Sequence, residues 1–401
     1  MGKKSRITLV GVGVVLVLVA IVWWAALAPS MVKLPSNVDS PLNFEGKLTQ
    51  FMDPATGQAL PAGQEVVVPF TVVRSFTALP DLYTSNMGVL QDSIVMTAGG
   101  QARPAQVYHY ALDRKTFKFI KSDESWAYSK AIVLNDRVGS YGPVLPGGLK
   151  VGDAVPDFID DVNKAFDVKA VEKIDDYNGL GITALKVNAA WPATEYYPPI
   201  AQAFLGSQGL PMQITFAQAS AQLKAKGLDL EALMTGLAAV ATPEDMQALQ
   251  AMTQQPIKLI YKLEGNDIIH IEQKTGLTVA ATLDRTTTMD MDTAGLLQAF
   301  GIIGKYASDP TVGPAIANAM KMATQLAAAG STKVFNQNMT TIAATVEKNA
   351  KDAGSKAQLM GLVKTWIPVI VLVIGALLLI IGGYFIFRGR KTVAGAGASK
   401  G

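Results

Sequence analysis

Two adjacent acid pairs, Asp160-Asp161 and Asp175-Asp176, come nearest in this 401-residue chain to general acid–base chemistry, in which one carboxyl holds a proton that another group takes up. Neighbouring acids usually point apart into solvent, so the surface reading outweighs the catalytic one. Asp290-Met291-Asp292-Thr293-Ala294-Gly295 opens like a calcium loop, but its fifth position is Ala294 and its twelfth, where a Glu is required, is Gly301. A polar strand-to-helix junction with Asp292 as the cap is the better reading. His109 stands between Tyr108 and Tyr110, and His270 between Ile269 and Ile271. Both lie in strand-like stretches and read as packed or surface residues rather than ligands. The chain has no cysteine, which excludes disulfides, thiolate catalysis and Cys-based metal sites. It contains no G-x-S-x-G, Walker loop or H-E-x-x-H, and Gly11-Val12-Gly13 lies inside an apolar run. The expectation is a non-enzyme with no catalytic residue, metal or cofactor.

One cluster points to binding. Leu233, Met234, Leu237, Met246, Leu249 and Met252 recur at helical spacing on two short helices. They could line a cavity for acyl chains, for which flexible Met is well suited, or form a small core that fixes the helices to a sheet.

Two uncharged runs bracket the stretch that carries these residues. Trp366 to Phe387 spans roughly 30 Å as a helix, enough to cross a bilayer. It is followed by Arg388, Arg390 and Lys391, which the positive-inside rule places in the cytoplasm. Ile7 to Ala28 is preceded by Lys3, Lys4 and Arg6 and carries Trp23 and Trp24 at its outer edge. Ala26-Leu27-Ala28 has the form of a signal-peptidase site, but the long apolar core before Trp23 favours a retained anchor. The sequence thus divides into a tail (1–6), a membrane helix (7–28), an extracytoplasmic domain (29–365), a second membrane helix (366–387) and a second tail (388–401). Of the 35 basic residues seven belong to the tails, and with 32 acidic residues the outer domain is mildly acidic. That argues against nucleic acid as a partner.

Within the outer domain, Pro29 to Pro41 is a spacer, and 42–190 reads as antiparallel hairpins, with a tight turn at Asp53 to Gly57 and a more polar, helix-compatible Asp157 to Phe166. A helical insertion follows at 196–255, in which Thr242-Pro243-Glu244-Asp245 is a helix start. Strands resume at 256–289 around a turn at Gln273 to Gly276, and 293–362 reads as helical, with Val334, Phe335, Met339, Ile342 and Val346 as one stripe. The fold class is α+β: terminal transmembrane helices flanking a large, mainly antiparallel, β-barrel-like domain with helical insertions.

Glu45-Gly46, Asp53-Pro54-Ala55-Thr56-Gly57, Tyr110 to Thr116 and the strand-turn-strand Ile271 to Val279, set between two anchors, resemble the actinobacterial PorA-like membrane protein family. The resemblance implies a role in envelope lipoglycan assembly and an ectodomain similar to CD36-type lipid receptors, a β-barrel-like body with an apolar tunnel. The expected function is that of a non-enzymatic, membrane-anchored module that binds or transfers lipid or lipoglycan, with envelope-biosynthesis proteins as further partners. The alternative is a scaffold that recruits such proteins and binds no lipid. A continuous cavity would favour the first, and a packed interior the second.

Overall fold

The computed structural model describes residues 3–24, 34, 38–53, 59–225, 227–292, 294–328 and 330–396. The expected turn at Asp53 to Gly57 and most of the Pro29 to Pro41 spacer lie outside the described residues, as do the ends of both tails.

Helix α1 (Lys3–Val22) precedes a first run of strands, β1 (Asp39–Gln50), β2 (Val66–Ala78), β3 (Met87–Ala98), β4 (Gln101–Ala102) and β5 (Gln106–Asp113). Short strands β6 (Trp126–Ala127) and β7 (Ser129–Val133) lead to β8 (Ala154–Ile159), β9 (Lys164–Ile174) and β10 (Ala184–Glu195). The insertion then supplies α2 (Pro198–Ser207), β11 (Gln213–Ile214), α3 (Phe216–Ala225), α4 (Leu230–Leu237) and α5 (Pro243–Thr253). The long hairpin β12 (Ile257–Glu272) and β13 (Thr278–Met291) follows, then α6 (Ala294–Gly304), α7 (Gly313–Ala328) and β14 (Thr332–Thr341). The chain ends in α8 (Ala343–Gly361), a π-helical turn at Leu362–Trp366 and α9 (Ile367–Ala396).

Along the sheet the strand order is β7-β6-β5-β3-β2-β1-β14-β13-β12-β10-β9-β8. Every ladder between these strands is antiparallel. The ladder itself does not close. The irregular segments after β5 and after β7 together span the gap between the two edges: Phe119 bridges Leu112, its N–H reaches Ser140 O at 2.9 Å, and Tyr141 exchanges backbone bonds with Pro156 and Phe158. The curled sheet buries one large core on its concave side, including Phe44, Phe70, Val187, Trp191, Leu263 and Phe335.

Two expectations are corrected. Thr332–Thr341 is a central strand, not part of a helix, and it joins β1 to β13. Its register slips where Phe335 pairs with Thr287 and Lys333 with Thr288, leaving Val334 as an extra residue. That bulge turns Val334 and Phe335 both inward, breaking the period of two and imitating a helical stripe. Asp157 to Phe166 is likewise the hairpin of β8 and β9 rather than a helix, turned at Asp160–Val162 with Asn163 in the left-handed region at φ 50°.

Other local signals are read correctly. The Thr242 side chain caps α5 from the Asp245 N–H at 3.2 Å, with Pro243 in the first turn. The β12–β13 hairpin turns at 273–276, where Glu272 Oε2 accepts from Thr275 N–H at 2.8 Å. Gly276 (φ 73°) presses on Leu145, since a Cβ there would meet the Leu145 carbonyl at 2.0 Å.

Helix α8 packs Ala350 and Ala353 against Val279 and Ala280 of β13 and against Ile182. It runs through the π-turn into α9, so Ala343–Phe385 is one helix, long and apolar enough to cross a membrane. Thr8–Val22 is a shorter apolar helix. It lies alongside α9, with Trp23 Nε1 donating to Val363 O at 3.0 Å.

Candidate functional site

Alternation along four strands sends charged residues into the concave core. On β2 the inward stripe is Phe70, Val72, Arg74, Phe76; on β3, Leu90, Asp92, Ile94, Met96. On β12 it is Leu263, Gly265, Asp267, Ile269, and on β13, Leu283, Arg285, Thr287. Arg74 pairs in register with Ile94, and Arg285 with Gly265, so each arginine meets its acid on the diagonal. Arg74 Nη2 lies 2.6 Å from Asp92 Oδ2 and its Nε 3.1 Å from Oδ1. Arg285 Nη2 lies 2.7 Å from Asp267 Oδ2, and its Nη1 3.7 Å from Asp161 Oδ2. Gly265 makes room for the Trp191 ring, over which the Arg285 guanidinium sits at 5.4 Å.

The irregular segment after β7 contributes a third cation. Arg137, with no exposed surface, stacks 5.0 Å from the rings of Tyr110 and Phe119 and reaches Asp160 Oδ1 at 3.5 Å. The Tyr110 hydroxyl sits 3.0 Å from Asp160 Oδ2 and 3.2 Å from Asp92 Oδ2, linking two of the ion pairs. Three guanidiniums (Arg74, Arg137, Arg285) thus face five carboxyls: Asp92, Asp157, Asp160, Asp161 and Asp267. Asp157 is the odd one: among the described residues its buried Oδ1, like that of Asp160, has no hydrogen-bond partner, but where Asp160 faces Arg137 at 3.5 Å, Asp157 faces no cation within ion-pair distance.

Electrostatics follow from this burial. Loss of water pushes the Asp157 carboxyl well above the ordinary range, with Asp160 adding to the effect. Burial also raises Asp160 and Asp267, against the pull of Arg137 and Arg285 respectively, and lifts Asp161 to about 6. For Arg74 burial opposes the charge, yet the Asp92 carboxylate overrides it and holds the guanidinium above its usual value. The adjacent acids Asp160 and Asp161 are half-buried and face Arg137 and Arg285, unlike the solvated pair expected from sequence, whereas Asp175 and Asp176 are exposed.

A cavity of about 150 Å³ opens among these groups, lined by Arg74, Phe76, Tyr110, Asp157, Asp161 and Arg285 together with apolar neighbours. A second, of about 80 Å³, lies beneath α2 between Phe70, Met96, Phe204 and Phe335. Neither lining includes the six residues singled out as a lipid cluster. Leu233, Leu237 and Leu249 are buried instead in a separate helical core with Ile303, Val312 and Ile316, and Met234 and Met246 pack against it. Met252 is not part of that core.

The remaining candidates lie apart from this cluster. His109 stacks on Trp126 at 3.8 Å and contacts Gln91 Oε1 at 3.2 Å; His270 lies 5.0 Å from the Tyr177 ring. Asp290 pairs with Lys262 at 2.6 Å. Among the described residues no group of three or more acids and histidines is arranged to hold a metal ion.

No curated protein matches the chain. A family model does: that of porin PorA, over residues 6–134 and 213–384. Arg74, Asp92, Asp267 and Arg285 fall within the matched residues, whereas Arg137, Asp157, Asp160 and Asp161 fall in the stretch between them. With most of its length matched, the chain belongs to the porin PorA family.

Proposed function

We propose that this protein is a two-pass membrane protein whose sheet domain stands outside the cytoplasm and serves, without catalysis, as a platform for proteins that assemble envelope lipids or lipoglycans. Packing carries this reading. The concave side of the sheet is lined by its core, and the larger of the two cavities described above, about 150 Å³, equals the volume that holds one benzene in an apolar site. An acyl chain needs several times as much. A pore, which the family's printed name suggests, needs a closed ladder around a polar lumen, whereas this ladder is open and its concave side is lined by its core.

The helices support the topology. Trp23 lies beside Val363 and Gly13 beside Gly375, so the apolar helices run antiparallel and bring Lys3, Lys4 and Arg6 to the same side as Arg388, Arg390 and Lys391. The unbroken passage from α8 to α9 supports a domain held in one orientation, which suits a platform.

Lipid carriage is the second reading, favoured by the apolar cavity beneath α2. A photoactivatable acyl lipid in native membranes separates the two. Cross-links confined to α1 and α9 are expected; cross-links at Phe70, Met96, Phe204 or Phe335 would overturn the platform reading in favour of the carrier.

A further inference from the structure

We infer that the cavity beside Asp157 is a binding site for a small organic cation, a protonated amine or quaternary ammonium group, held by the Asp157 carboxylate. This does not depend on the platform reading. Arg74, Arg137 and Arg285 each already face a carboxylate, at 2.6, 3.5 and 2.7 Å. Asp157 is left over. It is 7% exposed, lines the cavity, and keeps an oxygen without a partner. An unpaired buried carboxylate is costly, and a cation in the cavity removes that cost.

The alternatives fit less well. An anion would meet Arg74 and Arg285, but both guanidiniums are already neutralised by close acids. A metal ion needs several converging ligands, and no such group exists among the described residues. A neutral polyol could bond to Asp157 without balancing its charge. An ammonium group balances it; Phe76 and Tyr110 also line the cavity, but Arg74 lies 4.6 Å over the first ring and Arg137 5.0 Å over the second, so the charge of Asp157 carries the recognition. Besides burial, the groups acting on Asp157 are Asp160 and Asp267, which raise its carboxyl, and Arg285 and Arg74, which lower it. A cation beside Asp157 favours its ionised form, so entry releases a proton.

The test is calorimetric titration of the full chain in detergent with choline, ethanolamine and 3,3-dimethyl-1-butanol, the uncharged analogue of choline, at constant ionic strength. Choline or ethanolamine is expected to bind saturably and release protons at about pH 6, where Asp161 also titrates. Asp157→Asn should weaken that binding roughly tenfold or more while leaving the melting temperature at or above wild type, since no hydrogen bond is lost. The inference is overturned if neither amine binds, if the uncharged analogue binds as tightly, or if Asp157→Asn binds as wild type does.

Discussion

Gly13 and Gly375 meet backbone to backbone where the two apolar helices cross: a Cβ on Gly13 would lie 2.9 Å from the Gly375 carbonyl oxygen, and one on Gly375 3.0 Å from that of Gly13. Small residues at such a crossing let helix backbones approach closely, and in a bilayer that packing supplies much of the association. Gly13→Leu or Gly375→Leu is therefore expected to separate the helices, costing roughly 2 kcal/mol. Thermal melting in detergent checks this, with Gly11→Leu, whose position is open, as the control that leaves stability unchanged.

The second prediction concerns the strand that closes the chain's two halves together. Gly46 of β1 pairs with Met339 of β14, and a Cβ there would lie 2.0 Å from the Asn338 carbonyl. No rotamer relieves a backbone clash. Gly46→Val should destabilise the domain by about 3 kcal/mol, visible as a lower midpoint in denaturant. A helical 332–341 would leave Gly46 without this neighbour and the variant with little effect.

How much of this was legible in the sequence depends on whether a signal was local. The Thr242-Pro243 cap, the turn at 273–276 and the β9–β10 hairpin follow from residues a few positions apart, and each was readable. The bulge at Val334 was not, because one extra residue converts a strand's alternation into a helix-like stripe. The charged core was hidden differently. Each of the four strands carries a single charge in its inward stripe, Arg74 between Val72 and Phe76 or Asp267 between Gly265 and Ile269. Only pairing across strands distant in sequence turns these isolated charges into ion pairs. The signal was present as charges at stripe positions. Judged by sequence neighbours alone, Asp160-Asp161 looked solvated.

A pH dependence follows from the same burial. Asp161 is raised by loss of water, opposed by Arg285 and reinforced by Asp160, to about 6 from an ordinary 3.8. Between those values the folded state binds the proton more tightly than the unfolded chain, so the protonated form's stability is fully present below 3.8 and is lost as pH rises through about 6. Asp157, Asp160 and Asp267 shift in the same direction. The melting temperature is therefore expected to contain a component that falls as pH rises across this window, and Asp161→Asn should flatten it. An unchanged slope in Asp161→Asn would mean that Asp161 is not the titrating group.

That the single helix formed by α8 and α9 fixes the sheet domain's orientation on the membrane is what the platform reading requires. It is tested most directly by inserting a flexible Gly-Ser segment of about ten residues between Gly361 and Leu362, which uncouples orientation while keeping the tether. In cells lacking the gene, the insertion variant at wild-type abundance, with the domain's melting temperature unchanged, is expected to fail to restore function. Full restoration would contradict the account, because a domain that works on a loose tether does not depend on being held in one orientation.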